Sequence, residues 1–169
     1  MDPNQQLYAK DTVTRLIELF QTQFGDYFNS YWEDMPLEPP TALEYPALMV
    51  QKIEGGAVIG PTSTDEVTET IMIYVFKNTA DVVGSTNVKT TTQRELQLLV
   101  EGQDPTTLHY RTDSILYVLR TYLTLDQWLI DSDVRVHYGI EKPSNAESNV
   151  AFADITMTTQ RRVIEQRTG

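Results

Sequence analysis

A chain of 169 residues, 40% hydrophobic and 22% charged, is long enough to bury a core of its own and too apolar to stay disordered, so one domain over residues 1–169 is expected. The absence of cysteine excludes disulfides and thiolate metal sites, and a net charge of −11 argues against a surface built to neutralise nucleic-acid phosphates. No strictly apolar run is longer than Ile71–Phe76, and the first 25 residues hold Asp2, Lys10, Asp11 and Arg15, so neither a membrane-spanning helix nor a secretion core is expected.

The first segment, 1–25, reads as an amphipathic helix. Ala9, Val13, Leu16, Ile17, Phe20 and Phe24 recur at helical spacing, Pro3 is tolerated near the start, and Gly25 stands where a C-terminal cap belongs. An aromatic and proline-rich connector, 26–46, follows. Phe24, Tyr27, Phe28, Tyr31 and Trp32 put five of the sixteen aromatic residues within nine positions, a cluster that serves a core or anchors an interface. Pro36, Pro39, Pro40 and Pro46 then forbid a continuous helix.

Ala47–Glu54 reads as a strand, Gly55–Asp65 as a turn-rich loop and Val67–Lys77 as a second strand, together a hairpin with an enlarged loop. In the second strand Ile71, Ile73 and Val75 point one way and Met72, Tyr74 and Phe76 the other. Both faces are apolar and both need cover. One chain of this length supplies it on one side, so Met72, Tyr74 and Phe76 are candidate interface residues. Thr79–Thr92 is polar and reads as a loop, and Arg94–Glu101 as a short helix ended by Gly102. Asp104-Pro105 marks a turn, and Thr112 or Asp113 caps a helix burying Ile115, Leu116, Leu119 and Leu123 and stopping before Asp126. Val134, Val136, Tyr138 and Ile140 alternate, as do Ala151, Ala153, Ile155 and Met157, with Pro143–Asn149 as the turn of a closing hairpin. The expected class is α+β: a mainly antiparallel sheet of about four strands, packed by an N-terminal helix and one or two further helices.

No chemistry-bearing motif is complete. Gly55 to Thr62 has the glycines and hydroxyl of a phosphate loop, but Pro61 stands where the lysine must be. His109 and His137 are the only histidines, too few for a multi-histidine metal site. His109, Asp113 and Ser114 are the residue types of a nucleophilic triad without its strained turn. A calcium loop from Asp131 to Asp133 fails, with Arg135 at position 5, no glycine at 6 and Lys142 at 12. Catalytic, cofactor-binding and metal-binding residues are therefore assigned to no position, and no enzymatic activity is expected.

Charge is distributed unevenly. Residues 1–69 hold 12 acidic and 3 basic residues, which leaves 12 of the 24 acids and 10 of the 13 bases for 70–169. The basic C-terminal end, 161–169, carries Arg161, Arg162 and Arg167, a candidate contact for an acidic surface on a neighbouring subunit.

The order of elements, the acidic N-terminal helix, the Pro46 to Gln51 strand, the Gly60-Pro61-Thr62 loop, the long strand with Ile71, Ile73 and Val75 and the closing hairpin resemble the tail terminator, or tail completion, proteins of tailed bacteriophages. The resemblance covers most of the chain. It implies a virion structural protein, assembled in the host cytoplasm, that forms a homo-oligomeric ring, a hexamer, in the neck of the particle. Its implied partners are the tail tube protein on one side and a head-tail connector or stopper protein on the other. DNA passes through such a ring without specific binding, and no membrane is involved. Another neck component, such as a connector or stopper, is the alternative, followed by a carboxylate-dependent hydrolase or a small-ligand binding domain.

Overall fold

The computed structural model describes residues 11–34, 36, 40–60, 64–78, 91–103, 106, 107, 109, 111–125, 129–130, 133–141 and 150–164. The first described element is helix α1, Thr12–Phe24. Asp11 caps it, its Oδ1 accepting the Thr14 N–H at 2.7 Å, and Gly25 ends it at φ +50°, where a side chain is disfavoured. Leu16, Ile17 and Phe20 are buried along one stripe of α1.

The aromatic connector contains a strand that its composition does not announce, β1, Ser30–Trp32. It pairs in parallel with β2, Ala47–Val58, Ser30 facing Ala47 and Trp32 facing Met49. The return from β1 to β2 includes a 3-10 turn, Ala42–Glu44. Asn29 ties the two strand starts together, its backbone N–H donating to Pro46 O at 2.8 Å and its Nδ2 to Tyr45 O at 2.7 Å.

The hairpin is longer in strand and shorter in loop than composition suggests. β2 runs on to Val58, and β3 spans Thr64–Asn78. Gly55 and Gly56 lie within the ladder, facing Glu69 and Thr68, after a bulge between Lys52 and Glu54. A third strand stabilises this distal half. β6, Val150–Ile164, pairs with β3 along its whole length, from Asn78–Val150 to Thr64–Ile164. Cross-strand partners thus hold the glycines in extended form against their own weak strand preference.

Helix α2 is Thr91–Val100, so Thr91 and Thr92 are helical and not loop, and α3 is Ile115–Leu125. Ser114 caps α3 in place of Thr112 or Asp113: its Oγ accepts the Tyr117 N–H at 3.4 Å and its carbonyl accepts the Val118 N–H at 3.1 Å. The two-residue β4, Leu129–Ile130, and β5, Arg135–Glu141, both pair with the outer edge of β6. The sheet order is therefore β1-β2-β3-β6, with β5 and β4 end to end along the far edge of β6, at Val150–Thr156 and Thr159–Gln160. All pairings but β1–β2 are antiparallel, and the expected α+β class with a mainly antiparallel, helix-packed sheet is what the structure has. The expected turns at 104–105 and 143–149, residues 1–10 and most of the 79–92 loop lie outside the described residues.

One face of the sheet holds the core. Leu48, Val50, Ile71, Ile73, Val75, Ala153, Ile155 and Met157 are buried against Leu16, Phe20, Leu96, Val100, Ile115 and Leu119 of the helices. Each large aliphatic side chain so buried contributes about 1.5–3 kcal/mol. Tyr138 on β5 is tied to the end of α2, its hydroxyl donating to Glu101 Oε2 at 2.6 Å.

Candidate functional site

The opposite face of the sheet carries the alternate residues, and the strand register writes out its rows. Trp32, Met49, Tyr74, Asp154 and His137 form one row, and Ala47, Phe76, Phe152 and Gly139 the next. None of the three described helices packs on this side. Rings cover one another instead: Tyr74 and Phe76 stack at 5.8 Å with their planes 5° apart, and Trp32 lies 6.0 Å from Phe76 and 6.4 Å edge-on from Tyr45. These rings bury Met49 to 2% exposure, while Trp32, Met72, Tyr74, Phe76 and Phe152 themselves stay half-buried.

Gly139 leaves room for Phe152. A Cβ there would lie 2.5 Å from the ring, so only glycine lets the aromatic lie across the β5 backbone. Beside it Trp32, Pro40, Tyr45, Phe76, Glu141, Val150 and Phe152 line a shallow apolar depression. The aromatic cluster of the sequence is therefore divided by the pleat of β1. Phe24, Phe28 and Tyr31 pack on the helix side, edge to face at 5.7 and 5.6 Å, whereas Trp32 turns to the open face.

The expected interface residues fall into two places. Met72, Tyr74 and Phe76 do share the open face. Arg161 and Arg162 lie in the distal end of β6, opposite Val67 and Glu66 of the same chain, so the basic end begins inside a strand and not as a free tail. Met72 faces Thr156, and the five residues from there to Arg161 place the arginines about 17 Å further along the sheet. Arg167 lies outside the described residues. Trp32 and Phe152 are the members of the site that sequence reasoning missed. Phe152 had a signal, the one aromatic residue on the polar phase of its strand, while Trp32 had none beyond the cluster.

His137 Nδ1 lies 3.2 Å from Asp154 Oδ2 at the β5 rim. Burial, then the nearby Asp154, raises the phenol pKa of Tyr74, and burial, then Glu44 and Glu141, raises that of Tyr45. Both are neutral hydroxyl groups at physiological pH, suited to contact and not to acid-base work.

The grouping at the start of α3 is structural. Ser114 is fully buried and its hydroxyl donates to Arg111 O at 2.8 Å, while Asp113 takes a two-pronged contact from Arg111 at 3.0 and 2.7 Å. The Gly55–Gly60 segment leads from strand to strand, Gly60 N–H donating to Asp65 Oδ1 at 3.2 Å, so no helix N-terminus follows it as a phosphate loop requires. Asp133 pairs with Arg135 at 3.0 Å. Among the described residues no three His, Asp or Glu side chains converge on a metal-sized site, and no helix is long and apolar enough to cross a membrane.

No family model matches the sequence, and no match was found among curated proteins.

Proposed function

We propose that this chain is a structural subunit, not an enzyme, that assembles with copies of itself into a ring in the neck of a tailed-phage virion, capping the tail tube and meeting the head connector. The observation that carries the reading is the sheet itself: helices pack one apolar face, and the other presents Trp32, Met72, Tyr74, Phe76 and Phe152 half-buried with no described element of the chain over them. Contiguous apolar surface of that kind marks a protein contact, and aromatic anchors are what such contacts rely on. The order of elements that resembles tail terminators supports the narrower placement in the tail neck, with assembly in the host cytoplasm.

The test starts with the purified protein, weighed by mass photometry and viewed by negative stain. Closed rings, hexameric on this reading, should form alone or on added tail tubes. Met72→Lys with Tyr74→Lys should abolish them while leaving the far-ultraviolet circular dichroism unchanged, since both side chains lie on the face away from the core. A wild-type protein that stays monomeric at all concentrations and ignores tail tubes refutes the assignment.

A further inference from the structure

Among the described residues the sheet is open at both ends. β1 covers only Ala47–Met49 of β2, so from Val50 to Val58 the outer edge of β2 pairs with no described strand. Residues 52–58 are exposed, Ile53 at 49% and Val58 at 69%. At the far side β5 pairs only with β6, which leaves its other edge, Arg135–Glu141, without a described partner. Unpaired edges of this length are templates for strand addition, and proteins that must stay single protect them with proline, lysine or covering loops. Here the edge carries a bulge and Lys52 at its start, then Glu54-Gly55-Gly56-Ala57-Val58, where small residues leave the backbone open.

We propose that the free edge of β2 takes up the outer edge of β5 from a second copy of this chain, antiparallel, so that one sheet continues from subunit to subunit. The inference rests on the ring reading above and names the surface that closes the ring. Strand polarity favours this occupant. β2 is antiparallel to β3, β3 to β6 and β6 to β5, so the two open edges of one chain run in opposite directions. Subunits related by simple rotation then meet in the antiparallel ladder, the more stable kind, through a heterologous contact of the type that generates rings. A strand from a different protein at β2 would leave the β5 edge open still.

Charge agrees with that pairing. β2 reads Lys52 and then Glu54, whereas β5 read backwards gives Glu141, His137 and Arg135. The antiparallel alignment therefore sets Glu54 beside the bases.

The geometry closes as well. Within one subunit Arg135 shares a row with Thr156, Met72 and Gln51, whereas Gly56 lies in the row of Thr68 and Gln160. Because β1 blocks the start of the β2 edge, β5 of the neighbour must slide by about four residues to set Arg135 opposite Gly56, roughly 14 Å. The repeat from one β2 to the next spans four strand spacings, about 19 Å. The resulting strand tilt, about 35°, is that of closed β-barrels.

In this register Glu54 lies opposite His137, both on the helix-free face. The chain has no cysteine, so E54C together with H137C introduces the only thiols, at a strand spacing a disulfide spans. Mild oxidation of the assembled double variant should give a ladder of covalent oligomers on a denaturing gel, and neither single variant should go beyond a dimer. Gly56→Lys is the second arm. A Cβ at Gly56 meets nothing within 4 Å, so the subunit folds unchanged, but a lysine on the free edge should raise the concentration for half-assembly by at least about tenfold, the change 1.4 kcal/mol produces. Rings that form normally from Gly56→Lys, with no ladder from the double cysteine variant, overturn the edge pairing and leave the ring reading intact. A wild-type chain that never assembles overturns both.

Discussion

Three glycines separate the cost of backbone conformation from the cost of crowding. Gly102 sits between α2 and α3 at φ +51°, and a Cβ there would lie 2.4 Å from Ser114 Cβ and 2.9 Å from Leu98 O. Neither neighbour yields easily, because Ser114 is fully buried as the α3 cap and Leu98 O belongs to helix backbone. Gly102→Ala should therefore cost about 1–2 kcal/mol for the left-handed conformation and about 1–3 kcal/mol more for the overlap. The sum is a third or so of a typical domain's 5–15 kcal/mol. Gly25→Ala carries a conformational cost alone, its own, since it stands at φ +50° and ψ −122° with nothing within 4 Å of the added carbon, and should lose about 1–3 kcal/mol. Gly56→Ala, extended and unobstructed, should stay within about 0.5 kcal/mol of the parent, as surface changes do. Urea unfolding would be followed by circular dichroism in the Met72→Lys/Tyr74→Lys background, so that association does not add to apparent stability. The expected order of loss is Gly102, then Gly25, then Gly56. Gly102→Ala unfolding at the same midpoint as Gly56→Ala would refute the account of how α2 is seated on α3.

Ser114→Ala should destabilise by about 1 kcal/mol, the usual worth of an N-cap hydroxyl, read as a lower urea midpoint with unchanged slope. Alkaline pH should weaken the fold: Tyr31, Tyr45, Tyr74 and Tyr138 all have phenol pKa values raised above 10.0, with burial the first cause in each and the Glu101 hydrogen bond adding to it at Tyr138. Below pH 10 folded and unfolded chains both keep these protons and the stability is fully present; above it the unfolded chain releases them first, so stability falls as pH rises. Tyr138→Phe should flatten that fall, and an equally steep alkaline loss in this variant would show that Tyr138 does not contribute. A chain ending at Ile164 should exchange its β3 amides like the full chain, whereas one ending at Gln160 should lose protection over Thr64–Val67 and keep it over Ile71–Val75; uniform protection in both would contradict the β3–β6 register.

Elements with a clean period were legible. The stripe Leu16, Ile17 and Phe20 identified α1, and the alternation from Ala151 to Met157 identified β6, because each exposes one polar phase to water. The distal halves of β2, β3 and β6 were not legible for a physical reason. Gly55 and Gly56 have little strand preference of their own, and the strand they pair with is held in turn by partners more than 90 residues away, as Thr68 and Gln160 show. β1 was hidden likewise: a three-residue strand has no period to read, and its parallel pairing with β2 depends on Asn29 bonding the Tyr45-Pro46 carbonyls.

The site was half legible, and the missing half has one cause. The two-sided apolarity of Ile71–Phe76 shows that the sheet has a second face, but not which residues from other strands stand beside it. That depends on register, and a one-residue slip in β6 would have turned Phe152 into the core and Ala153 outward. The same dependence separates the arginines from the aromatic face, since strand length carries Arg161 far from Met72 where sequence had grouped them by function. It also bears on assembly. The acidic first 69 residues and the basic end had suggested a tail reaching for a neighbour, yet Glu66 and Arg162 are already register partners within one subunit. Ion pairs at a surface contribute only about 0–1 kcal/mol each, so raising salt should disturb assembly far less than Gly56→Lys does. Subunit contact on this reading comes from backbone hydrogen bonds and buried rings, neither of which is screened by ions.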